Sequence, residues 1–182
     1  MMLAAIETDG EILEAIWAHG DRVATVAVAL AERLGLRADL VDRLRFAAPL
    51  HDIGKTVLPS EVLLKPGPLT AEETALVRGH VHEGVRLLSG GDERLRTARA
   101  VALTHHERWD GTGYPFGLHG EEIPLVGRIA AVADVFDALV SERPYKPAWT
   151  TDAAITEIAR GSGSQFDPEI VAAFLDCPPA AA

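Results

Sequence analysis

The chain has 182 residues, 48% hydrophobic and 24% charged, with a formal net charge of -10 and a pI near 5.1. These proportions describe one globular domain over residues 1–182, long enough for a sizeable core, and exclude a disordered chain. The acidity excludes nonspecific binding to polymeric nucleic acid or to an anionic membrane, so a phosphate-bearing substrate would draw its counter-charge from metal ions and a few local Lys or Arg. The single cysteine, Cys177, permits no intrachain disulfide. Met1 to Ile6 has no basic stretch, and no apolar run approaches the ~20 residues that span a bilayer. A cytoplasmic protein without membrane association is the expectation.

In chain order the pattern is helical throughout. Thr8-Asp9-Gly10-Glu11 opens a first helix with a capping box, Ile16, Val23, Val26, Leu30 and Leu34 repeat at helical spacing, and Gly35 ends it. Asp39 opens a second helix through Leu40, Val41 and Leu44 to His51, with a kink or a lost hydrogen bond expected at Pro49. A Pro- and Gly-rich loop follows (Pro59, Pro66, Gly67, Pro68). Thr70-Ala71-Glu72-Glu73 is a second capping box, starting one helix through Leu76, His80 and Leu87 that Ser89-Gly90-Gly91 breaks. Residues 93–106 form the next helix, 108–122 a polar, glycine-rich loop, and Pro124 belongs to the first turn of a helix running past Asp134 to about Val140. Thr151 to Arg160 is amphipathic, and Asp167-Pro168-Glu169 starts a last helix. No strand alternation or internal repeat is present, and the expected core spans about 8–176, with a frayed tail at 177–182.

Five imidazoles and two carboxylates stand out on this map: His19, His51, Asp52, His80, His105, His106 and Asp134. Successive sites lie 32, 29, 25 and 28 residues apart, about one helix plus one turn, so each helix of a bundle delivers one or two donors to a common core. His19 alone would be read as a surface or capped histidine, and His80 alone is equally ambiguous. Asp134 resists that reading, because a carboxylate amid Ala130, Ala131, Val132, Ala133, Val135 and Phe136 is costly unless paired or metal-bound. The donor set exceeds one tetrahedral ion and suits two divalent ions with N/O ligation, which favours Fe or Mn over structural Zn. His82 faces another way on its helix from His80 and is read as surface, and His119 is left out of the site.

The motifs His51-Asp52-Ile53-Gly54-Lys55 and His105-His106-Glu107 with Gly113-Tyr114-Pro115 resemble those of the HD-GYP branch of the HD phosphohydrolase superfamily. His19 with Arg22-Val23, Lys65-Pro66-Gly67, His80 with Gly84, Asp134 to Ala138, Arg143-Pro144-Tyr145 and Phe166-Asp167-Pro168 match as well, so the resemblance covers about residues 15–175. It implies an all-α fold, a compact multi-helix HD-domain bundle with the metal site in its core. It implies a metal-dependent phosphodiesterase that hydrolyses cyclic di-GMP to pGpG, with onward cleavage to GMP left open. The seven donors above are the implied ligands, with Asp52 shared between the ions and Lys55 near the phosphate or leaving group. Gly113, Tyr114, Pro115, Arg143 and Lys146, with Lys55, are the implied substrate contacts. A third metal in the family accompanies a glutamate four residues before the first histidine. Ala15 stands there and Glu14 points about 140° away from His19 on an ideal helix, so two ions are expected.

Three other readings compete. The chain could act on another cyclic dinucleotide or on a mononucleotide, although the Gly113-Tyr114-Pro115 loop argues against the latter. It could be a non-catalytic domain binding a cyclic dinucleotide or a partner, against which stands the complete ligand set. It could be a regulatory module, but the 18 residues before His19 leave no room for a sensor or receiver domain. A homodimer or a signalling protein completes the expected partner classes.

Overall fold

The structure is a computed structural model describing residues 10–142 and 147–176. Nine α-helices follow one another among the described residues: α1 (Gly10–Arg33), α2 (Ala38–Ala47), α3 (Ser60–Leu63), α4 (Ala71–Arg78), α5 (His80–Leu87), α6 (Glu93–Thr104), α7 (Leu125–Val140), α8 (Thr151–Arg160) and α9 (Pro168–Asp176). Three 3-10 turns lie between them, at Ala48–Leu50, Ile53–Val57 and Gly120–Glu122. The all-α bundle expected from the periodicity is the fold, and no helix among the described residues is long and apolar enough to cross a membrane.

Helix α7 is the central post. It is apolar nearly all round, burying Val126, Ile129, Ala130, Ala131, Val132, Ala133, Phe136 and Leu139, as a helix covered on every side must. Helix α1 lies along it and offers Ile16, Val23, Val26, Ala27 and Leu30, while α6 packs on it through Ala98, Val101 and Ala102. Helix α2 bridges α1 and α6 with Val41 and Leu44, and α9 closes the far end with Ile170 and Phe174. One continuous core results, from which Asp134 emerges on the face turned toward α1 and α6.

Several boundaries differ from those read off the sequence. Thr8 and Asp9 of the first capping box lie outside the described residues, as do residues 177–182. The second helix changes to 3-10 geometry at Ala48 instead of running to His51: Pro49 takes the first turn of that 3-10 segment, where its missing N–H costs nothing. The helix expected over 71–87 is two, α4 and α5, meeting at Gly79. The loop after Asp52 contains the 3-10 turn Ile53–Val57 and the short α3, which lack the apolar repeat that identifies longer helices. Pro124 caps α7 one residue before its start. The Thr70 capping box forms as expected, with Thr70 Oγ1 accepting from Glu73 N and Glu73 accepting from Thr70 N; Lys65 adds an ion pair to Glu73 at 2.6 Å.

Candidate metal and substrate site

All seven expected donors converge in the bundle core. His19 comes from the middle of α1, and His51 and Asp52 from the junction of two 3-10 turns. His80 is the first residue of α5, His105 and His106 directly follow α6, and Asp134 lies midway along α7. Their side chains form three overlapping groups whose ligand atoms lie within 4.8 Å of one another: Asp52 with His80, His105 and His106; His19 with His51 and Asp52; His51 with His105 and Asp134. Asp52 Oδ1 sits 3.2 Å from His80 Nε2 and 3.6 Å from His105 Nε2, while its Oδ2 sits 3.4 Å from His51 Nε2. A carboxylate placed this way can serve two neighbouring ions.

Backbone carbonyls aim the rings. His51 Nδ1 meets Ala48 O at 2.9 Å, His80 Nδ1 meets Val77 O at 2.6 Å, and His105 Nδ1 meets Val101 and Ala102 O at 3.1 Å. Each carbonyl holds the proton on Nδ1 and leaves Nε2 as the inward lone pair, the arrangement in which an imidazole binds metal. On His19 the same task falls to Asp137, whose Oδ2 lies 2.7 Å from Nδ1 while Nε2 lies 3.1 Å from Asp134 Oδ1. Arg22 in turn grips Asp137 with two hydrogen bonds, 2.7 and 3.0 Å.

Electrostatics follow from this crowding. Burial works against charge on Asp52, yet Lys55 and His51 hold its carboxyl well below the usual range. Asp134 is likewise depressed against its burial, chiefly by the His19 hydrogen bond. Burial pulls His19 down, but Asp134 and Asp137 together lift it to about 9. His106 is driven down to about 2 by burial and then by its neighbour His105, so it is neutral at any working pH. His51 Nε2 and Asp52 Oδ1 are buried without any hydrogen-bond partner, which in a packed interior is costly. Two orphaned donor atoms facing one cluster fit a metal centre, which would satisfy both.

The 108–122 loop folds back over this cluster. Tyr114 N bonds to His106 O at 3.2 Å, and the Tyr114 ring stacks on the His106 ring with centroids 4.7 Å apart. Burial, with the nearby carboxylates, raises the Tyr114 hydroxyl, which keeps its proton. Gly111 adopts φ 79, the left-handed turn that a glycine there allows. Gly113 has a different reason: a Cβ would stand 2.4 Å from Arg108 N and 2.6 Å from Glu107 Cα, so the loop approaches too closely for any side chain. Pro115 follows on the same turn. The base of the loop is tied to the α8–α9 connection by Trp109 N to Gln165 O and Asp110 N to Ser164 O. Asp167 in that connection pairs with Arg128 at 2.6 Å and caps Glu169 N at 2.9 Å, which gives the Phe166-Asp167-Pro168 motif its structural purpose.

The chain matches the HD domain family over residues 3–170. The chain belongs to the HD domain family. Its assignment to the HD-GYP branch agrees with the names of its relatives. It is 52% identical over 156 residues to the cyclic di-GMP phosphodiesterase response regulator RpfG of Xanthomonas campestris, covering 85% of this chain and 41% of that protein. It is 44% identical over 160 residues to the 3'3'-cGAMP-specific phosphodiesterase 2 of Vibrio cholerae, covering 87% and 31%. The chain therefore spans less than half the length of these curated relatives. The fold is shared with Bd1817, an HDG"Y"P protein from Bdellovibrio bacteriovorus, at a TM-score of 0.69 and 22% identity, over 88% of this chain and 51% of that one.

Within this HD domain, Lys55 Nζ is bonded to Asp52 Oδ2, on the rim of the cluster. His82 is exposed, 6.2 Å from the Phe116 ring, and His119 is an exposed cap of the 3-10 turn at Gly120, both apart from the cluster. Arg143 and Lys146 lie outside the described residues. Sequence reasoning missed the parts played by three residues. Arg22 and Asp137 orient His19, each three residues from a ligand on its own helix, a spacing that marks a shared face. Glu107, directly after the histidine doublet, is only 3% exposed and accepts from Phe116 N at 2.8 Å and Leu118 N at 3.1 Å. An isolated glutamate in a polar stretch gives no sign of that burial.

Proposed function

We propose that this HD domain is a metal-dependent phosphodiesterase that hydrolyses cyclic di-GMP to pGpG, acting in the cytoplasm as one catalytic unit over about residues 8–176. The observation that carries the reading is Asp52. It is the one residue common to the His80-His105-His106 group and the His19-His51 group, the position of a carboxylate shared by two ions. Two divalent ions, Fe or Mn by the mixed imidazole–carboxylate donor set, would be held by His19, His51, Asp52, His80, His105, His106 and Asp134. Glu14 belongs to none of the donor groups among the described residues, which supports two ions over three. When bound, such a pair supplies an activated water and neutralises charge on a phosphoryl group.

The chain's own residues do the rest. The carbonyls of Ala48, Val77, Val101 and Ala102 and the Asp137 carboxylate keep the rings aimed inward, so the site needs little reorganisation. Lys55, on the rim beside Asp52, carries the charge that meets a phosphate oxygen or the leaving group. Gly113, Tyr114 and Pro115 wall the cluster on the side of His106 and narrow it toward a nucleotide. Arg143 and Lys146 are assigned to the substrate by the family resemblance.

The test combines metal analysis by mass spectrometry with hydrolysis assays on cyclic di-GMP, 3'3'-cGAMP and a nucleoside monophosphate, with products separated as pGpG and GMP. Close to two Fe or Mn per chain and fastest turnover of cyclic di-GMP are expected, with loss of both in His51→Ala and Asp52→Ala. Undiminished hydrolysis in those variants would sink the metal mechanism. Faster turnover of 3'3'-cGAMP would move the specificity to that substrate, the second reading favoured by the Vibrio cholerae relative's name.

A further inference from the structure

Beside the site stands a cation for which the proposed reaction has so far given no role. Arg78 is the last residue of α4, two positions before His80, and its side chain is exposed. Its guanidinium carbon lies 4.8 Å from the centroid of the Tyr114 ring, and that ring stacks on His106. Imidazole, phenol and guanidinium thus follow one another outward from the donor cluster.

What sets Arg78 apart is the lack of an anionic partner. Arg22, Arg33, Arg37, Arg43, Arg45, Arg86, Arg96, Arg108, Arg128 and Arg160 each pair with a carboxylate, and Arg99 donates to the Leu88 and Gly90 carbonyls. Among the described arginines only Arg78 and Arg94 have neither a carboxylate nor a backbone carbonyl as partner, and Arg94 stands about 16 Å along α6 from His105. In a chain of net charge -10, an arginine beside the site without a carboxylate is unusual. A guanidinium laid over an aromatic ring is restrained in orientation, while the N–H donors in its plane stay free for an oxyanion.

Resting on the cyclic-dinucleotide reading, we propose that Arg78 binds the second phosphate of the substrate, the one that is not cleaved. The scissile phosphate occupies the donor cluster with Lys55. A cyclic dinucleotide carries its other phosphate on the far side of the same small ring, so that group reaches outward, past Tyr114, to the rim. Arg78 supplies the counter-charge there and helps to select a ligand with two phosphates.

Steady-state kinetics on the metal-loaded protein, comparing wild type, Arg78→Gln and Arg78→Lys over a range of salt, test this. A rise in KM for cyclic di-GMP of roughly tenfold in Arg78→Gln is expected, the loss of one charge-assisted contact. The change in kcat should stay under about threefold, Arg78→Lys should recover part of the KM, and the fall of kcat/KM with salt should be shallower in Arg78→Gln. An Arg78→Gln KM within twofold of wild type, or a loss confined to kcat with the salt dependence intact, overturns the assignment while leaving the proposed activity standing. A wild-type protein that binds metal but turns over no cyclic dinucleotide overturns both.

Discussion

Asp137 Oδ2 accepts from His19 Nδ1 at 2.7 Å, and that contact turns the opposite nitrogen of the ring toward Asp134, 3.1 Å away. Asp137 is itself held by the bidentate Arg22 pair, so a chain of three side chains fixes one imidazole. Removing the carboxylate charge should loosen the ring without taking away any metal donor. Asp137→Asn is expected to weaken metal binding by about 10- to 100-fold, the usual effect of an outer-shell partner. Metal titration of the chelator-stripped protein reads this. An affinity equal to wild type would show that His19 is positioned by packing alone.

Gly54 predicts a steric failure of the same centre. A Cβ there would lie 1.9 Å from His80 O and 2.6 Å from Gly84 N, both backbone atoms of α5. The contact cannot be relieved by a rotamer change, so Gly54→Ala must push α5, and with it His80, away from Asp52. The expected loss is about 3 kcal/mol or more of stability, together with reduced metal content in whatever folds. Chemical denaturation and metal analysis on the variant check both, and a wild-type midpoint with full metal would refute the close approach.

The contrast between Asp134 and Glu107 explains how far the sequence could be read. Asp134 is flanked by Ala131, Val132, Ala133, Val135 and Phe136, so its charge is conspicuous against the periodicity, and the donor set followed from spacing. Glu107 sits in a polar loop where a carboxylate is unremarkable, and its burial arises only when residues 113–118 fold back on it. The same division governs the helices. Long amphipathic segments such as α1 and α8 were legible from their repeat, whereas the run through Leu76, His80 and Leu87 reads as one helix and does not mark the break at Gly79. Asp137 and Arg22 belong to a tertiary chain across α1 and α7 that no single helix pattern encodes.

Asp110 gives the loop a pH dependence of known sign. Hydrogen bonds from the Thr112 hydroxyl and amide, with Arg108 beside it, pull its carboxyl down to about 2. A group with a depressed folded pKa stabilises above its unfolded value, about 3.9, and loses that contribution as pH falls toward the folded one. Asp110→Asn should therefore lower the melting temperature at pH 7, with the gap to wild type closing between about pH 4 and 2. Thermal scans of both proteins across that range, with the Asp110 carboxyl followed by NMR, measure it. A gap that stays constant down to the lowest pH would show that charge on Asp110 is irrelevant to the loop.

Glu107 separates holding the loop from holding the metal. Its carboxylate accepts from two loop amides, Phe116 N and Leu118 N, in a site nearly sealed from water. Glu107→Gln keeps the shape but replaces one acceptor oxygen with an NH2 group, so one of the two amides loses its partner. A charge-assisted bond of this kind contributes about 1.5–3 kcal/mol, and a domain of this size should melt several degrees lower, at roughly 2–4 °C per kcal/mol. The freed loop would carry Tyr114 away from His106, raising KM for the cyclic dinucleotide. His106 and the other donors are untouched, so metal content should stay at the wild-type level. Calorimetry, kinetics and metal analysis on one preparation distinguish the two roles: a variant that loses metal in proportion to its activity would place Glu107 in support of His106, not of the loop.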